Sequence, residues 1–155
     1  MGHWRSAPLL RNDDRTFLVF LVRDTDPEWD GVCVNVVSAD DPTPRKLAVV
    51  EFKRCLCAKM GSPNDEVFHG HPLHGKGFEG YRPLRVKNSP WIKELEAINS
   101  VHSCYRPESW SMLNHYIFGF HDSTFECVAE SFAAEAKTAT IPEVLAEICS
   151  KLTSG

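Results

Sequence analysis

Residues 114–130 read NHYIFGFHDSTFECVAE, two alternating runs about a polar centre at Asp122 and Ser123. No other stretch restricts the fold as much. Alternation with period two marks a half-buried strand, and a turn dipeptide between two such runs marks an antiparallel hairpin over 115–131. A turn of two or four residues centred there pairs His121 with Thr124 and Gly119 with Glu126. Tyr116, Phe118, Phe120, Phe125, Cys127 and Ala129 then share one face, which must be core. His115, Gly119, His121, Thr124, Glu126 and Glu130 share the other with Ile117 and Val128. A three-residue turn would scramble this assignment.

The N-terminal half supplies more strand pattern. Residues 16–23, TFLVFLVR, and 31–38, GVCVNVVS, are rich in β-branched and aromatic side chains and end in turn residues. A longer strand is expected over 46–58. It alternates with Ala48, Val50, Phe52 and Leu56 on one face and Val49, Glu51, Lys53, Cys55 and Cys57 on the other. Three strands joined by short turns form an antiparallel meander. The first two are apolar on both faces, which requires cover on both sides or pairing in a homodimer. Residues 1–15 show no period and read as an N-terminal arm before a single domain spanning 16–155.

Two helices stand out. Ser89 is a capping residue and Pro90 suits the first helical position, so a helix is expected over about 90–102. Trp91, Leu95, Ile98 and Val101 form its apolar stripe. A short helix follows over 107–113. At the C-terminus, Ile141, Val144, Leu145, Ile148, Cys149 and Leu152 mark one face of an amphipathic helix over about 141–152. Thr140 caps it and Glu143 favours its positive end. Strands in runs and segregated helices define an α+β fold: a mainly antiparallel sheet with two helices packed on it.

The 155 residues are 43% hydrophobic and 25% charged, the balance of one ordinary globular domain. The formal net charge of −4 argues against general nucleic-acid binding, which needs a basic face. The longest apolar run, residues 17–22, is far short of the roughly 20 residues a membrane-spanning helix needs. The N-terminus lacks an apolar signal core, and a cytoplasmic, membrane-free protein is expected. None of the six cysteines forms a CxxC pair, so they read as buried free thiols.

Chemistry is concentrated in residues 67–91, VFHGHPLHGKGFEGYRPLRVKNSPW. His69 and His71 point the same way in an extended backbone, roughly 6–7 Å apart. They can share a divalent metal such as zinc or iron, with His74 joining if Pro72 bends the chain. The hairpin face offers the complement, His121 and Glu126, as ligands or as an acid–base pair. Gly119, opposite Glu126, leaves room there for a ligand. His115 lies roughly 20 Å along the strand from His121 and cannot share its metal, so His121 is the better candidate. Gly75, Gly77 and Gly80 let the backbone approach an anion, and Lys76, Arg82 and Arg85 are placed to bind a carboxylate or phosphate. Lys87 and Lys93 extend that positive patch. The spacings of HExxH, Walker and dinucleotide-binding motifs are absent.

Two functions fit these residues. One is a small enzyme with a histidine-rich, possible metal site acting on a small polar or anionic substrate. The other is a non-catalytic ligand-binding or assembly domain using the 67–91 loop as its recognition surface. The first requires the histidines and Glu126 to converge on one point, and the second leaves them apart.

Overall fold

The computed structural model describes residues 4–12, 15–22 and 42–154; the strand expected over 31–38 lies outside them. The hairpin is present as β6 (Asn114–Gly119) and β7 (Thr124–Ala129). Its register pairs Gly119 with Thr124 and Ile117 with Glu126, a slip of two residues from the expected pairing. The turn is four residues long but centred one residue earlier, closed by Phe120 N–H donating to the Ser123 carbonyl at 2.8 Å. A slip of two leaves every side chain on its expected face. The six core residues read from the alternation are all buried in one cluster.

Among the described residues the strands, hairpin included, form two antiparallel sheets. The first has the order β1-β2-β3-β8, with β1 at Trp4–Arg11, β2 at Arg15–Val22, β3 at Arg45–Lys53 and β8 at Ser131–Ala139. The second has the order β4-β7-β6-β5, with β4 at Cys57–Gly61 and β5 at Pro83–Val86. Leu18, Phe20, Val50 and Phe52 from the first sheet pack against Phe118, Phe125 and Cys127 from the second and against Phe120 in the hairpin turn. Within the segment expected as an arm, Trp4–Arg11 forms β1, which pairs along β2 and ends this sheet among the described residues.

The chain changes sheet at two neighbouring places. The strand expected over 46–58 breaks after Lys53, where Arg54 takes a positive φ of 49°. This kink resets the alternation: Cys55 joins the core and Leu56 turns out, 42% exposed. The return crossing is at Glu130. Its N–H donates to the Lys53 carbonyl at 2.9 Å, and its carboxylate meets Lys53 at 3.3 Å and Arg54 at 3.5 Å. The chain beyond Glu130 therefore continues as β8 of the first sheet.

β2 is covered on both faces, as its sequence demands. Phe17, Val19 and Leu21 face α3 (Ile141–Thr153), which buries Ile141, Val144 and Ile148 against them. Thr140 and Glu143 close the capping box at the start of α3. The earlier helix, α1 (Pro90–Asn99), lies by the other sheet and buries no residue fully; Trp91 and Leu95 of the expected stripe are half-buried. Ile98 is 63% exposed, and Val101, beyond the helix end, is 90% exposed. A short α2 (Pro107–Ser111) leads into β6. No helix among the described residues is long and apolar enough to cross a membrane.

Candidate ligand-binding cleft and its polar surroundings

The outer face of the second sheet carries His115, Ile117 and Gly119 on β6 and Thr124, Glu126 and Val128 on β7. The 62–82 loop is pinned over this face by an aromatic ring set on two glycines. A Cβ on Gly119 would stand 2.9 Å from Phe68 Cζ and 3.2 Å from Gly80 Cα, and one on Gly80 would stand 2.9 Å from Phe68 Cε2. Tyr81 N–H also donates to the Gly119 carbonyl at 2.8 Å. The room at Gly119 is therefore filled by Phe68 rather than left for a ligand. Phe68 meets Phe78 edge-on at 4.9 Å, and Phe78 stacks on His71 at 4.5 Å. Gly119→Ala is expected to lower stability by about 1–3 kcal/mol through overpacking against Phe68. Urea unfolding measures this, and adding Phe68→Leu should recover part of the loss.

His121 and Glu126 do not form the expected pair. Moving the turn leaves His121 beyond the end of β6, where its Nδ1 lies 2.8 Å from Asp65 Oδ2. The Tyr81 hydroxyl donates to the same carboxylate oxygen. Burial, reinforced by Asp65, pushes the Tyr81 phenol well above its ordinary pKa. Glu126 is held instead by His115, the histidine that strand spacing had set aside: His115 Nε2 lies 2.8 Å from Glu126 Oε1. The opposite nitrogen, Nδ1, lies 2.8 Å from Ser89 Oγ. Ser89 Oγ accepts the Ile92 N–H at the start of α1, so its own proton is free for Nδ1. The tautomer that satisfies the chain carries the imidazole proton on Nε2, donated to Glu126.

Lys59 adds a charge to this group, 3.5 Å from Glu126 Oε2 and 4.2 Å above the Trp91 ring. Trp91 also meets His115 edge-on at 5.1 Å. Burial raises the Glu126 pKa, but the His115 hydrogen bond and Lys59 outweigh it, leaving the carboxyl below its ordinary value. Ser89 and His115 are each only 4% exposed. The serine, histidine and glutamate resemble a nucleophile relay in composition alone. The hydroxyl is buried and committed to capping, so the arrangement fastens α1 to the sheet.

The three loop histidines are separated by environment. His69 and His74 are exposed. His71 is half-buried, and its Nδ1 accepts the Leu73 N–H at 3.1 Å. Burial holds the His71 imidazole below its ordinary pKa, against the opposing pull of Glu126. Among the described residues, no group of three or more histidine, cysteine, aspartate or glutamate side chains is placed to hold a metal ion.

The anion-binding candidates fare differently. A cleft of about 390 Å³ opens between residues 73–78 and β5. Phe78, Leu84, Val86 and Ile117 supply its apolar lining, and Lys76, Arg85 and Lys87 border it. Arg85 pairs with Tyr116, on the opposite face of β5 from Leu84 and Val86, so it stands at the rim of the cleft. A second cleft of about 440 Å³ shares Arg85, Val86 and Lys87 and continues to Asn88 and Lys93 at the start of α1. Arg82 lines neither and pairs with Glu79 at 3.0 Å. Among the described residues, no carboxylate pairs with Lys76, Arg85, Lys87 or Lys93. Basic residues at 76, 85, 87 and 93 were a legible signal, but their placement around two adjoining clefts was not.

Comparison with protein-family models, with curated proteins and with solved structures finds no match for this chain.

Proposed function

We propose that the protein is a non-catalytic binding domain whose cleft between residues 73–78 and β5 recognises an anionic ligand carrying apolar groups. One observation carries the reading: an apolar-lined cleft of about 390 Å³ is bordered by Lys76, Arg85 and Lys87, which no carboxylate neutralises among the described residues. Cations held against apolar surface bind a carboxylate or phosphate more strongly than they would in open water. Catalysis has weaker support, because Ser89 and His115 are buried and joined to structural partners. The proposal places the domain in the cytoplasm. Cys55, Cys57, Cys104, Cys127 and Cys149 are free thiols, which supports a reducing compartment.

Calorimetric titration with octanoate and phenyl phosphate tests the cleft. Saturable binding is expected, with Arg85→Ala weakening it roughly 10- to 100-fold through loss of a charge-assisted hydrogen bond worth about 1.5–3 kcal/mol. Binding indifferent to Arg85, or absent for every apolar anion tried, would remove this reading.

A further inference from the structure

We infer that the occupant of this basic cleft is an extended acidic segment of another protein, added to the β5 edge as a further strand. The inference rests on the anion-binding reading above and names its partner. β5 ends its sheet, in the order β4-β7-β6-β5, and among the described residues its strand partner is β6 alone. Its outer backbone groups are a template for strand addition. Both clefts open along this edge and meet at Arg85, Val86 and Lys87.

The cations border two adjoining clefts along β5 rather than gathering at one point, with Arg85 on the opposite face of the strand from Leu84 and Val86. Arg85 and Lys87 follow two residues apart, roughly 6–7 Å in an extended chain. Lys76 lines the cleft on the loop side, and Lys93 the cleft at α1. One carboxylate or phosphate can meet one or two of these groups, whereas a strand with acids at alternate positions can follow the row. Leu84, Val86 and Ile117 offer apolar surface to the partner's intervening side chains. Two copies of this edge would set like charges against each other, so the positive row disfavours self-pairing and favours an acidic strand. The partner chemistry is a short run of alternating acidic and β-branched residues.

Fluorescence anisotropy with a labelled Val-Glu-Ile-Glu-Val-Glu-Ile peptide tests the proposal on the full chain. Saturable binding is expected, at least tenfold weaker with Arg85→Glu and Lys87→Glu combined, and weaker again in high salt. Both positions are exposed, and near-ultraviolet circular dichroism checks that the variant stays folded. A peptide N-methylated along its pairing edge should lose at least tenfold, as should one with lysine in place of each glutamate. Equal binding of the N-methylated peptide overturns strand addition, and indifference to charge reversal overturns the charged groove. If octanoate binds through Arg85 and the peptide does not, the anion cleft survives and the acidic-strand proposal falls. If neither binds, both fall. Tighter binding of oligouridylate than of the peptide also overturns the proposal.

Discussion

Phe52→Ala is expected to lower folding stability by about 3–5 kcal/mol, the range for deleting a fully buried phenylalanine. Phe52 is 0% exposed and is the last inward residue of β3 before the kink at Arg54. Its ring lies 5.5 Å from Phe125, 5.9 Å from Phe118, 6.0 Å from Phe132 and 6.2 Å from Tyr116. It thus joins both sheets and the first residues of β8. Removing it leaves a cavity walled by rigid rings with little freedom to collapse. Leu56→Ala is the control, since Leu56 is 42% exposed and its expected effect is within about 0.5–1 kcal/mol. Urea midpoints with unchanged slopes measure both. Equal losses would contradict the sheet change after Lys53.

Glu126→Ala is expected to cost about 2–3 kcal/mol at neutral pH, because it strips a charge-assisted hydrogen bond from a buried imidazole. The carboxylate bonds His115 at 2.8 Å and meets Lys59 at 3.5 Å, and its side chain is only 13% exposed. Its pKa is held below the ordinary value in the fold despite the burial that would raise it. A carboxyl depressed on folding contributes stability that is complete above its unfolded pKa, about 4.3, and disappears as pH falls through the lower folded value. The gap between wild type and Glu126→Ala should therefore be widest near pH 7 and narrow below about pH 4. Paired urea titrations at pH 7 and pH 3 give the answer. A gap that does not narrow in acid would mean that the carboxylate charge is not what holds His115.

Much of this was legible from residue patterns. Alternation in 114–130 found the hairpin and its six core residues, because a side-chain period of two survives a register slip of two. The same slip separated His121 from Glu126. A diagonal contact depends on the register itself, so Glu126 met His115 instead of His121. The loop histidines were an incomplete signal for a related reason. Their spacing presumed extended backbone, but Asp65–Gly70 is a 3₁₀ turn and the loop is anchored by Phe68 between two glycines.

The sequence by itself determined the 114–130 hairpin and its buried face, the strand that begins near Thr16, the starts of the helices at Pro90 and Ile141, and that β2 needs cover on both faces. Those properties follow from local periodicity and from the free energy of removing apolar side chains from water. Only the tertiary structure decided that there are two sheets, that the chain crosses between them at Arg54 and Glu130, and that Lys76, Arg85, Lys87 and Lys93 line adjoining clefts. Each depends on contacts between residues distant in the chain. The alternation before and after a kink looks the same whether a strand continues or changes sheet, so the hairpin constrains the fold without locating the cleft beside it.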